Sequence, residues 1–291
     1  MPELPEVETV RKGLEQQVSG FFIQKIEVLK ERSIASEGGS ESFISNMKGL
    51  KIGGWKRRGK YLIASLKKED ETLKDISKNF KSAGWWGVHL RMTGQFQFHQ
   101  KTCPPCAHTR VRFWDPKGIE LRFVDIRNFG QMWWVDPRSS PKKVISGLNK
   151  LGPEPFSKEF NVSYLQKQLA GRTRSIKSAL LDQSIVAGIG NIYADESLFA
   201  AGILPSREAG QIKLEELEEL CKCLVKILAI SIGKGGTTFS DFRNLEGLNG
   251  RYGGEAFVYR RERKPCRKCG IHIQKTKLIG RGTHWCPQCQ S

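Results

Sequence analysis

Four cysteines near the end of the chain, Cys266, Cys269, Cys286 and Cys289, follow the spacing C-x2-C-x16-C-x2-C. Each pair can grip one side of a tetrahedral ion, and four thiolates close its coordination sphere. The spacing therefore specifies one structural Zn2+ rather than a catalytic metal with an open position. Residues 256–291 hold too little apolar material for a core of their own, so folding of this segment is tied to metal binding. Two disulfides would fit the same spacing, but in a reducing compartment closely spaced pairs bind metal. From Arg260 to Arg281 the segment is dense in Arg and Lys, a surface suited to phosphates. Arg281 stands between two glycines in "GRGTHW", a tip from which it could reach into a groove.

The whole chain shares this charge. Its 291 residues carry 48 Lys and Arg against 30 Asp and Glu, a net charge of +18 that is spread along the sequence. Such a balance points to a polyanionic partner such as nucleic acid. The chain does not open with a charged n-region followed by an apolar h-region, and it contains no run of about 18 apolar residues. It is expected to be soluble and intracellular, without a membrane partner.

An amphipathic helix is expected near the start, where Val7, Val10, Leu14 and Val18 recur at helical spacing and Pro5 suits a first turn. That helix explains neither Pro2 nor Glu3. From Phe21 to Val135, short β-rich runs such as "KYLIASLKK", "VRFW", "IELRFVDI" and "QMWWV" alternate with glycine and charged turns, which indicates a sandwich or barrel. The polar stretch "KKEDETLKDISKNFKSAG" reads as an inserted loop or small helix. Helical patterning dominates residues 163–232, and the glycine-rich stretch from Gly233 to Gly254 reads as a mobile loop. The expected domains are 1–140, 141–255 and 256–291, an α+β multidomain chain. Cys103 and Cys106 in "CPPC" lack the βαβ context of a thiol-redox motif and are expected to sit idle on a hairpin tip, with a weak local metal site or a disulfide as the alternatives. In "AGIGNIYADES", Asn191 opens a helix after a glycine turn, either as a simple cap or as part of an anion site.

Taken in order, "PELPEVET", "RRGKYL", "HLRMTG", "DIRNFG", "LGPEPF", "AGIGNIYADESLFAAGI", "GGTTFSDF" and "GRGTHWCPQC" resemble the formamidopyrimidine-DNA glycosylase family from one end of the chain to the other. The resemblance implies an N-terminal β-sandwich with flanking helices, a helix-two-turn-helix domain and a C-terminal β-hairpin zinc finger. It also implies excision of oxidised purines from double-stranded DNA, with lyase cleavage of the strand, by a monomer in the cytoplasm or nucleoid of a bacterial cell. Pro2 would be the nucleophile, Glu3 its acid/base, Glu6 a support, and Lys60 an essential lysine. Met92, Arg127 and Phe129 would fill the gap left by the everted nucleotide. Lys60, Asn191, Arg281 and His89 would hold the bent backbone. Two alternatives remain at this point: an endonuclease VIII-like enzyme for oxidised pyrimidines, and a catalytically inactive zinc protein that binds damaged DNA. The "CPPC" pair and a long segment between Lys60 and His89 depart from the family pattern, and "RNLEGLNGRYGGEAF" matches it only loosely.

Overall fold

The computed structural model describes residues 1–69, 80–101, 103–237 and 250–291. Most of the expected insertion and the centre of the glycine-rich stretch lie outside the described residues. The chain forms two compact units, one holding Met1–Pro2 and Glu6–Asn149, the other Glu3–Pro5, Lys150–Thr237 and Arg251–Ser291.

The first unit is built on helix α1 (Leu4–Val18) and two four-stranded antiparallel sheets. One sheet runs in the order β2-β3-β4-β8 (Lys51–Arg58, Tyr61–Glu69, Phe80–His89, Gln131–Val135). The other runs β1-β6-β7-β5 (Lys25–Val28, Thr109–Trp114, Glu120–Asp125, Gly94–His99). Aromatic rings fill the space between them: Trp86 lies 4.7 Å from Phe113 and 5.8 Å from Phe96, ring centre to ring centre. Val7, Val10, Leu14 and Val18 of α1 are buried in the same core. Each such burial stabilises the fold by about 1.5–3 kcal/mol. A register shift between Ile52 and Trp55 frees the Trp55 N–H, which donates to Glu15 of α1 at 2.6 Å.

Four features differ from the sequence reading. Helix α2 (Gly39–Met47) interrupts the β-rich region, and Gly53 and Gly54 lie inside a strand. Phe80–Gly84, expected in a loop or small helix, belong to β4, and Lys67–Glu69 to β3. Lys81 and Ser82 pair with Lys68 and Lys67, so strand partners override a polar local pattern. Cys103 and Cys106 do not cap a hairpin, because β5 and β6 lie on opposite sides of β7 and their connection crosses its end. Arg122 draws that connection in, donating to Cys103 O at 2.8 Å and Pro104 O at 3.3 Å while Glu120 pairs with its guanidinium at 2.7 Å.

The second unit contains α5 (Val162–Leu169), α6 (Ile176–Leu181), α7 (Asn191–Ala200) and the long α8 (Leu214–Gly233), after the short α3 (Pro141–Val144) and α4 (Ser146–Asn149) that close the first unit. It ends in the antiparallel hairpin of β9 (Gln274–Leu278) and β10 (Arg281–Trp285). Cys266 and Cys286 pack there with Phe199, Val258 and Ile273 in a small apolar cluster. No helix among the described residues is long and apolar enough to cross a membrane.

Candidate functional site

In the first unit, Pro2 is buried behind an exposed Met1, and Glu6 is 1% exposed on the first turn of α1. Lys60 is buried in the two-residue turn joining β2 to β3. Arg57 holds that turn, donating to Gly59 O at 3.1 Å and pairing with Glu8 of α1 at 3.1 Å. His89 ends β4 directly across from Tyr61. Its Nδ1 accepts the Arg91 N–H at 2.9 Å, which leaves the proton on Nε2. Burial, then Arg91 and Lys60, push its pKa down to about 3, so His89 meets any phosphate as a neutral donor rather than a cation.

Met92, Arg127 and Phe129 sit on two neighbouring loops, the β4–β5 turn and the β7–β8 connection. One carboxylate locks both. Asp125, fully buried, accepts the N–H groups of Phe129 at 2.8 Å and Gly130 at 2.7 Å, and the Thr93 hydroxyl. Thr93 Oγ1 in turn accepts the Arg127 N–H at 2.9 Å. The loop needs this support because Asn128 takes a left-handed φ of 55°. Phe129 remains 37% exposed, with the guanidinium groups of Arg127 and Arg32 at 5.0 and 5.4 Å from its ring centre. Arg32, Arg91, Met92 and Phe129 line a cavity of about 360 Å³. An exposed aromatic wedge between two cations suits contact with bases and phosphates together. Asp125, Thr93 and Arg32 were given no role in the sequence reading, although Asp125 heads "DIRNFG" and Thr93 lies in "HLRMTG".

In the second unit, Glu3 is 3% exposed and faces the start of α7. Its carboxylate accepts the Ile192 N–H at 3.0 Å and the Tyr193 N–H at 3.4 Å. The free donors of this helix terminus, which the sequence offered as an anion site, are thus turned toward a carboxylate of the chain itself. Gly188, at φ 90°, accepts the Leu4 N–H on its carbonyl oxygen at 3.0 Å, and any side chain there would strike Leu4. The cap position of α7 is Gly190, so Asn191 is not a side-chain cap. Its Nδ2 donates instead to Gly282 O at 2.9 Å, beside the exposed Arg281 that opens β10. Glu196, also missed in the sequence, is 1% exposed and gathers the N–H groups of Phe257, Val258 and Tyr259 at 2.8–2.9 Å. Burial raises its pKa against those three bonds.

The four finger cysteines are free thiols whose Sγ atoms all lie within 4.8 Å of one another. Cys266 and Cys289 are 4.0 Å apart and Cys269 and Cys286 3.4 Å apart. A tetrahedral zinc with thiolates at about 2.3 Å needs sulfur–sulfur edges of about 3.8 Å, whereas a disulfide needs about 2.05 Å. The donor set therefore fits one structural zinc, which ties the two ends of the β9–β10 hairpin together.

Comparison with known proteins agrees with this geometry. Three family models match: the formamidopyrimidine-DNA glycosylase N-terminal domain over residues 1–132, the formamidopyrimidine-DNA glycosylase H2TH domain over 151–243, and the zinc finger found in FPG and IleRS over 263–291. A formamidopyrimidine-DNA glycosylase of Prochlorococcus marinus (strain MIT 9211) is 65% identical over 291 residues, 100% of both chains. A point mutant of the Lactococcus lactis enzyme, solved with DNA containing Fapy-dG, superposes with a TM-score of 0.87 at 34% identity over 100% of both chains. The Lactococcus lactis enzyme with DNA containing an abasic site also gives 0.87 and 34%, over 99% of each chain. With sandwich, helical unit and four-cysteine hairpin all matched along its full length, this chain belongs to the formamidopyrimidine-DNA glycosylase family.

Proposed function

We propose that this protein excises oxidised purines from double-stranded DNA and then cleaves the strand, with the Pro2 amine as nucleophile. The observation that carries the reading is the Glu3 carboxylate, buried and held by two N–H groups of α7, next in sequence to the residue that gains a free amine once Met1 is removed. An ordinary α-amine titrates near about 8, so a useful fraction of Pro2 is neutral in the cell.

The Pro2 nitrogen forms a bond to C1′ of the lesion nucleotide as the glycosidic bond breaks, and the base leaves with the electron pair and takes up a proton. The sugar ring opens when O4′ accepts a proton from Glu3, giving an iminium ion. The Glu3 carboxylate then removes a C2′ proton, and the electrons released expel the 3′ phosphate; a second elimination expels the 5′ phosphate. Water finally hydrolyses the iminium and frees the amine. Glu6 supports the first turn.

A base within a duplex is out of reach, so the nucleotide must be turned out and its place filled. Met92 and Phe129 are the fillers and Arg127 contacts the orphaned base, all three carried on the loops that Asp125 secures. Lys60, Asn191, Arg281 and the neutral His89 hold the backbone. In this reading residues 1–140 carry the chemistry, and residues 141–255 and the finger 256–291 grip the duplex, in a monomer working where the bacterial chromosome lies.

Incubation with duplexes containing 8-oxoguanine, formamidopyrimidine or 5-hydroxycytosine, with borohydride added, tests all parts. The expected result is faster nicking of the two purine lesions and a covalent protein–DNA adduct. Preferential nicking at 5-hydroxycytosine would overturn the substrate assignment, and the absence of any adduct would overturn the chemistry.

A further inference from the structure

Behind Arg281 and Asn191 lies a buried ionic assembly to which the proposed chemistry gives no part. Lys177 of α6 is 1% exposed and Asp195 of α7 is fully buried. The Lys177 ammonium forms an ion pair with Asp195 Oδ1 at 2.7 Å and donates to Gly282 O at 3.0 Å and Thr283 Oγ1 at 2.8 Å. The other Asp195 oxygen, Oδ2, accepts the His284 backbone N–H at 2.9 Å and lies 3.1 Å from His284 Nδ1. His284 Nε2 lies 3.5 Å from Glu262.

Stability does not account for this arrangement. A buried ion pair gains little over an apolar pair of the same volume, because desolvation of two charges offsets their attraction. What it adds is direction. The Asp195 carboxylate grips β10 at His284, Lys177 grips it at Gly282 and Thr283, and Asn191 binds the same Gly282 carbonyl. Residues Gly282, Thr283 and His284 are the three that follow Arg281. Two of the four side chains assigned to the DNA backbone are thereby referred to one fixed point: Asn191 through its own bond to Gly282, Arg281 through the strand it begins.

We propose that Asp195 is a positioning residue for DNA binding, which through Lys177 and His284 sets the strand register of Arg281 against Asn191 so that the two can take the same stretch of phosphate backbone. The inference rests on the assignment of Arg281 and Asn191 to the backbone. Asp195 itself has no exposed surface, so any effect on DNA passes through its neighbours.

A double-mutant cycle tests it. Asp195→Asn, Arg281→Ala and the double variant are made in the full chain, and their dissociation constants are measured on a duplex carrying an abasic-site analogue over a range of salt. Zinc content of one ion per chain and an intact thermal transition establish folding. The expected result is that Asp195→Asn weakens binding about tenfold in the native background and less than threefold once Arg281 is absent. The slope of log K against log salt should also become shallower, by up to about 0.9 for one lost phosphate contact. Equal weakening in both backgrounds would make Asp195 a purely structural residue and overturn the inference alone. If Arg281→Ala by itself leaves binding unchanged, the backbone assignment falls and takes the inference with it. Should Asp195→Asn fail to fold with its stranded Lys177 ammonium, the pair Asp195→Asn with Lys177→Met replaces it in the cycle, with the same outcomes on either side.

Discussion

Replacing Gly190 by alanine would put a methyl group where Glu3 now lies. An ideal Cβ at this glycine would stand 2.7 Å from Glu3 Cγ and closer still to its carboxylate. Carbon atoms in contact keep about 3.5–4.0 Å between them, so the Glu3 side chain must withdraw by on the order of 1 Å. The backbone raises no objection of its own: Gly190 sits at φ −134° and ψ −161°, extended geometry open to alanine. The whole effect therefore passes through Glu3. Moving it breaks or stretches the bonds from Ile192 and Tyr193 N–H, and each buried donor left unsatisfied costs about 1–3 kcal/mol. With two donors affected, we expect a stability loss of about 2–6 kcal/mol on that scale. A reacting group displaced by about 1 Å costs on the order of 100-fold in rate, equivalent to about 2.7 kcal/mol of transition-state stabilisation. The assay is single-turnover base release from a formamidopyrimidine duplex at saturating enzyme, alongside zinc content and a melting curve. Gly233→Ala, whose added methyl meets nothing within 4 Å, is the matched control. A Gly190→Ala protein that folds, keeps its zinc and releases base within threefold of the native rate would refute the role assigned to the Glu3 position.

Other perturbations read the remaining parts. Asp125→Ala strips the Phe129 and Gly130 N–H groups and the Thr93 hydroxyl of their acceptor; we expect a loss of about 3–5 kcal/mol on the scale of broken buried networks, measured by denaturant unfolding. Phe129→Ala, an exposed position, should leave stability within about 0.5 kcal/mol but reduce lesion excision, and equal excision by both proteins would remove Phe129 from the gap-filling set. His89 is held neutral in the fold with its pKa at about 3, while the unfolded chain binds a proton there near about 6.5. Its contribution is therefore intact above about pH 6.5 and declines by about 1.4 kcal/mol per pH unit as pH falls toward 3. The difference in stability between native protein and His89→Gln, followed from pH 7.5 to 4.5 as an order-of-magnitude range for that titration, should narrow on acidification. Cys286→Ser removes a zinc ligand; metal analysis should find the ion lost, together with the protection of amides in residues 266–289 from exchange.

What the sequence settled by itself was whatever depends on neighbours a few residues away. The cysteine spacing announced the zinc, because each ligand pair acts within four residues and tetrahedral chemistry leaves little choice. The apolar period of α1 and α8 announced those helices. The ordered motifs announced the family; the roles proposed for Pro2, Glu3 and Arg281 rest on that resemblance, since no periodicity could have marked them. Tertiary structure decided the matters that turn on distant partners. Phe80–Gly84 look like loop or helix until Lys67 and Lys68 pair beside them, and the "CPPC" segment looks like a hairpin tip until β7 comes between β5 and β6. Glu3 meets Ile192 across 189 positions of sequence, and Lys177 meets Thr283 across 106. Such contacts leave no local trace, because a buried carboxylate or ammonium is specified by the donors and acceptors that the fold brings around it, and these come from elsewhere in the chain.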